Sequence, residues 1–238
     1  MAKKGGTRHE NRLNGTSSRS YSRKMATWGI RAAPGPHSRA TSVPLTDILR
    51  DLAIGASARE IRSVLRQHLV KVNGRVRSDA RFPVGLFDWL SVEGMPKPWR
   101  IIVEKHGRLV ASERPVAKAP FKLSKISSKT MTAGRKLRFS TTDGENWTMG
   151  KSGLSVQDTV KWNLMDRKII DEFALEKGQS VLVIGGQRRG SVATIEDVVS
   201  GTVTRSALVR LKPLEGEAFQ TTVNNVFVIG PKGTSMDW

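Results

Sequence analysis

The chain has 238 residues, 38% of them hydrophobic, enough for one large domain or two to three small ones with packed cores. Lys and Arg number 40 against 21 Asp and Glu, a formal net charge of +19, so the expected partner is a polyanion. With no cysteine, disulfides and thiolate zinc sites are excluded.

No apolar run approaches the roughly 20 residues of a membrane-spanning helix, and no membrane association is expected. The N-terminal MAKKGGTRHENRLNG has the lysines of a signal peptide without its apolar stretch. The histidines, His9, His37, His68 and His106, show no close metal-binding spacing, so neither metal nor cofactor is expected.

Residues 1–42 read as a basic extension. Lys3, Lys4, Arg8, Arg12, Arg19, Arg23, Lys24, Arg31 and Arg39 face a single acid, Glu10, and no apolar period runs between them. Ordering a residue costs about 1–2 kcal/mol of backbone entropy, so this segment is expected to stay disordered until it meets its partner. Trp28 lies inside it, where an indole can pack on RNA or on a neighbouring protein.

At Val43 the pattern changes. Pro44 suits a helix start, Leu45, Ile48, Leu49 and Leu52 recur at helical spacing, and Gly55 suits a stop. A second helix follows, with Ser57 and Glu60 as a capping box and Ile61, Val64, Leu65 and Leu69 as its apolar stripe. Arg59, Arg62 and Arg66 fall within about 60° of one another on the wheel, away from that stripe. The next stretch, LVKVNGRVR, is a hairpin signal turning at Asn73-Gly74. A two-residue loop would set Val72 against Arg75. A three-residue loop including Arg75 pairs Val72 with Val76 and leaves Lys71 and Arg77 on one outer face, and that register is expected.

After GLFDWLSVEG closes this unit near residue 94, short strand-like stretches follow: WRIIVE, RLVAS, FKLSKI, KLRFS and TVKWNL, separated by turns such as Met95-Pro96 and Thr142-Asp143-Gly144. Lys122, Lys125, Lys129, Arg135 and Lys136 occur there with no acid between them. Trp89, Trp99 and Trp162 fall inside strand-like runs and are expected in cores.

VLVIGGQRRGSV, residues 181–192, raises the question of a phosphate-cradling loop. Such a loop must open a helix, yet the continuation SVATIEDVVSGTVT is β-branched and favours a strand. The glycines do not give G-x-G-x-x-G, and no Lys-Ser or Lys-Thr completes a Walker loop. Strand, glycine turn, strand is the expected reading, with Arg188 and Arg189 at the tip and the strands ALVRL, AFQTT and NVFVIG completing a small antiparallel barrel.

These stretches carry a resemblance. GQSVLVIGGQRRGSVATI resembles the KOW motif, and Val43 to Val92, with VKVNGRVR at its centre, resembles the RNA-binding module named after bacterial ribosomal protein S-four. Together with GPHSRATSVPL and NVFVIG, they make the chain similar to the archaeal and eukaryotic small-subunit ribosomal protein S-four-e family. The resemblance assigns Gly35-Pro36-His37 with Arg39 to the family's tail signature, Asn73-Gly74 to its hairpin turn, and Gly185, Gly186 and Gly190 to its KOW turn.

The resulting expectation is an α+β, multidomain chain: a basic N-terminal tail (1–42), a helix-helix-hairpin S-four-type RNA-binding module (43–94), an all-β central domain (95–175) and a KOW-type, SH3-like small antiparallel β-barrel (176–238). It implies a non-enzymatic constituent of the small ribosomal subunit, cytoplasmic and in the ribosome. Its partners would be ribosomal RNA and neighbouring small-subunit proteins, with no small-molecule substrate and no self-association. The cations above, with His37 and Arg75, are the candidate RNA contacts, because guanidinium forks grip phosphate and stack on bases. Two alternatives stand beside it: an RNA-modifying enzyme using the S-four-type module as a grip, for which no catalytic residue set is found, and a KOW-type transcription factor.

Overall fold

The computed structural model describes residues 8–234 except 20, 22, 23, 25, 116–119, 151–152, 203, 214–215 and 232. It is mostly β-structure with two α-helices, built from antiparallel sheets. The described residues fall into two compact units, one made of the chain up to Val103 together with Arg108–Pro120, the other of Glu104–Gly107 and the chain from Phe121 onward.

The first unit opens with β1 (His9–Asn11) and β2 (Trp28–Ile30), an antiparallel pair with Asn11 opposite Trp28. β3 (Ser42–Pro44) leads into α1 (Leu45–Asp51) and then α2 (Ala58–Arg66). The expected capping box is present: Ser57 Oγ accepts from Glu60 N at 3.2 Å, and Glu60 Oε2 accepts from the Ala56 and Ser57 amides. Leu45, Ile48, Leu49, Ile61 and Leu65 are buried, so both apolar stripes face a core.

β4 (Val70–Val72), β5 (Arg75–Val76), β6 (Pro83–Gly85), β7 (Trp89–Val92), β8 (Trp99–Val103) and β9 (Leu109–Glu113) follow. β6 pairs with β3, and the rest form one sheet ordered β5-β4-β7-β8-β9. The sheet therefore continues past residue 94, where the sequence suggested that the module closes. β7 needs a partner on its far side, and β8 supplies one, setting Trp89 opposite Arg100 and burying Ile101.

The hairpin register also differs from the expected one. Lys71 pairs with Val76 and Val72 with Arg75, so the loop has two residues, not three. Asn73 and Gly74 both have positive φ, 52° and 75°, the backbone of the type I′ turn that matches strand twist. Val76 is left 45% exposed, which a two-residue edge strand tolerates.

The N-terminal extension differs most. The described residues from Arg8 onward are folded into the first unit: Arg31 N donates to Arg8 O, Arg12 N to Thr27 O, and Ser18 Oγ to Ala40 O. Arg19 is buried, 2.6 Å from Glu10 Oε1 and 3.6 Å from Asp47 Oδ2. Arg19 reaches beyond the tail's own acid to a partner in the folded unit, which helps offset the entropy of ordering. Asp47, on α1, supplies a second anchor.

The second unit holds two sheets. β10 (Phe121–Thr132), β11 (Lys136–Thr141), β12 (Asn146–Met149), β13 (Thr159–Asn163) and β14 (Ile169–Phe173) are ordered β12-β11-β10-β13-β14 around Ile126, Phe139, Leu154 and Val160. β15 (Ser180–Val183), β16 (Val192–Val199), β17 (Leu208–Pro213), β18 (Phe219–Thr222) and β19 (Val226–Gly230) are ordered β18-β17-β16-β15-β19.

A 3-10 turn, Val223–Asn225, joins the edge strands β18 and β19. Its few residues reach at most about 13 Å, whereas a flat five-stranded sheet would hold its edges about 19 Å apart. The sheet is therefore rolled, around Val181, Ile195, Val209, Leu211 and Val226.

Candidate nucleic-acid interface

The glycine turn stands where the sequence placed it, between paired strands, with Val181 opposite Ala193. A Cβ on Gly185 would run into the Asn225 amide, and Gly190 combines φ 83° with a close approach to the Glu104 carbonyl. These are packing requirements of a strand-turn-strand element, not of a helix-opening phosphate loop. Arg188 is exposed at the tip, where Nη1 donates to Glu217 O at 3.0 Å and the guanidinium lies 4.6 Å from the Phe219 ring centre. Arg189 is partly buried against Gly107.

On α2, Arg59, Arg62 and Arg66 are all exposed while Ile61 and Leu65 are buried. The helix thus presents a row of guanidinium groups on a fixed backbone. Arg75 is exposed on the neighbouring edge strand β5. Lys71, partly buried, has Nζ 3.9 Å from Glu93 Oε1, and Arg77 lies over the Phe82 ring at 4.2 Å.

In the N-terminal segment Arg8, Lys24 and Arg39 are exposed, Arg39 with its Nε 3.6 Å from Glu10 Oε2. Arg12 lies 4.6 Å over the Tyr21 ring, and Arg31 is partly buried. Lys3, Lys4 and Arg23 lie outside the described residues.

Several candidates are held by partners in buried or part-buried networks. Arg19 is held by Glu10, Asp47, the Tyr21 hydroxyl and the Ile30 carbonyl. His37 is bonded through Nε2 to the buried Asp88. Lys122 Nζ is 2.6 Å from Asp143 Oδ2, both side chains at most 5% exposed. Ser124 and Thr141 also donate to that carboxylate, and Trp162 Nε1 donates to Ser124.

Against the penalty of burial, Lys122 and the two hydroxyls keep Asp143 below the ordinary carboxylate range. Lys125 donates to the Val223 and Val226 carbonyls at 2.8 and 2.7 Å, and burial lowers its pKa to about 8. These lysines sit at strand positions whose side chains face inward, a fact the charge run alone does not reveal. Lys129, Arg135 and Lys136 remain exposed near the β10–β11 tip, though Lys129 Nζ donates to Leu154 O.

Other polar residues went unnoticed in the sequence. Arg100 is buried 5.2 Å from the Trp89 ring centre, and burial, with the nearby Arg114, lowers its pKa to about 10. Asp88 is fully buried, and the signal for it was a lone acid in the apolar run GLFDWL. Among the described residues no group of three His, Cys, Asp or Glu could hold a metal ion, and no helix is long and apolar enough to cross a membrane.

Small antiparallel sheets, a short helix pair and exposed rows of cations define the class: a basic, multi-sheet protein with cationic faces suited to a polyanion. The chain belongs to the ribosomal S4e family. The family model described as "Ribosomal family S4e" matches residues 95–169. The chain is 32% identical over 227 residues to the small ribosomal subunit protein eS4 of Archaeoglobus fulgidus, covering 94% of each chain. It is 32% identical over 231 residues to the Caenorhabditis elegans protein of the same name, covering 95% of this chain and 88% of that one. The crystal structure of the 30S ribosomal protein S4e from Thermoplasma acidophilum matches with a TM-score of 0.69 at 26% identity, covering 80% of this chain and 96% of that one.

Proposed function

We propose that the chain is a structural constituent of the small ribosomal subunit, cytoplasmic, that binds ribosomal RNA and neighbouring small-subunit proteins without catalysis. The observation that carries this reading is the near full-length match to relatives named for that subunit. The net charge of +19 and the exposed cation rows agree with it. The α-helix pair with its hairpin acts as an S-four-type grip, Arg59, Arg62 and Arg66 neutralise phosphates, and the rolled C-terminal sheet acts as a KOW-type barrel with Arg188 at its tip. The folded sheets fix register and read RNA shape.

The test is equilibrium binding of the full chain to small-subunit ribosomal RNA across a salt series. Six to ten phosphate contacts should weaken affinity by about 10³–10⁵ between 50 and 200 mM salt. Salt-independent binding would overturn the reading, as would co-sedimentation with RNA polymerase instead of small subunits.

A further inference from the structure

We propose that Trp28 is a stacking site for one unpaired nucleobase. This rests on the RNA-binding reading above and specifies what that binding takes up. Trp28 is 58% exposed, whereas Trp89, Trp99 and Trp162 are at most 8% exposed. An indole left largely in water on a paired strand is a large apolar surface that the fold leaves mostly uncovered.

The ring is held ready. Trp28 lies opposite Asn11 in the β1–β2 ladder, which continues through Arg12 N to Thr27 O and Arg31 N to Arg8 O. The same pair of strands is anchored by the buried Glu10–Arg19 ion pair and by Arg19 Nη1 donating to Ile30 O at 2.8 Å. The His9 ring meets the indole edge to face, with centroids 4.9 Å apart and planes at 82°. An aromatic surface fixed in this way loses little freedom when a ligand settles on it.

Charge selects the ligand. In the described part of this segment Arg8, Arg12, Lys24, Arg31 and Arg39 accompany Trp28, and its one acid, Glu10, is taken up by Arg19. A flat aromatic group bearing phosphates fits both features, and that is a nucleotide. Bases inside a duplex are already stacked on both faces, so the base must come from a loop, bulge or end.

The experiment measures binding of the full chain to two fluorescein-labelled RNAs with equal numbers of phosphates, a hairpin with an all-adenosine loop and a blunt duplex. The wild type should prefer the hairpin. Trp28→Ala should weaken hairpin binding by roughly 5- to 150-fold, leave duplex binding unchanged and keep the salt slope, because no phosphate contact is lost. Trp28→Phe should keep the preference. Trp28→Leu, which retains apolar bulk for folding, should lose it.

A preference that survives both Trp28→Ala and Trp28→Leu overturns the stacking site, as does equal binding of the two RNAs by the wild type. If the wild type binds neither RNA, the RNA-binding reading fails together with this one.

Discussion

His37 and Asp88, 51 residues apart, meet at 2.9 Å on a carboxylate with no exposed surface. The same Oδ2 accepts from Gly85 N at 2.9 Å, and Oδ1 accepts from Asn73 Nδ2 at 2.8 Å. Asn73 Oδ1 in turn accepts from Trp89 N. The Gly-Pro-His turn and the Asn-Gly hairpin, two features that carried the family resemblance, are therefore held by one buried acid. Asp88→Ala leaves three donors without their acceptor and should lower the unfolding free energy by about 3–5 kcal/mol. Urea denaturation at pH 7 measures this, and a midpoint unchanged from wild type would show that the network is not needed.

The same residues show what was legible in the sequence and what was not. Apolar spacing fixed both helices, and Ser57 with Glu60 marked the start of the second. The strands around Trp99, Phe121, Val160 and Val181 stood out because β-branched and aromatic residues lie between clear turns. Pairing was harder, since turn chemistry at Asn73-Gly74 outweighed face matching in the hairpin. The site was legible as charge but not as exposure. Arg19 and Lys122 look like any other basic residue until their partners, Asp47 and Asp143, are brought from distant positions.

The Lys122–Asp143 pair should behave as a buried ion pair, not as part of a binding surface. Lys122→Met and Asp143→Leu should each destabilise the protein by about 3–5 kcal/mol, because each leaves an uncompensated buried charge or its unpaired partners. A Lys122→Met, Asp143→Leu double variant should lose less than the sum of the two. Additive losses in guanidinium denaturation would show that the two groups do not interact.

Lys125 predicts a pH dependence on the alkaline side. Its folded pKa of about 8 lies below the ordinary lysine value, so between about pH 8 and 10.5 the unfolded chain binds more protons than the folded one. Its contribution to stability must therefore rise across that window. A neutral amine still carries two N–H groups for the Val223 and Val226 carbonyls. Lys125→Met removes the titrating group, so wild-type stability relative to this variant should increase from pH 8 to 10. A constant difference across thermal melts in that range would show that Lys125 stays charged in the fold.

The exposed arginines should separate from the buried cations by their response to salt. Arg59→Ala, Arg62→Ala and Arg66→Ala together remove charge from a face whose side chains are in solvent, so the melting temperature should change little. Each lost phosphate contact should reduce the slope of log affinity against log salt by about 0.7–0.9. Arg188→Ala should act the same way, with a small loss of stability from its contact with Phe219 and Glu217 O. Arg189 packs against Gly107 and is partly buried, so Arg189→Ala should register mainly in the melting temperature. Filter binding to small-subunit ribosomal RNA at several salt concentrations separates the two arginines. An unchanged slope in the triple α2 variant would remove that helix face from the interface.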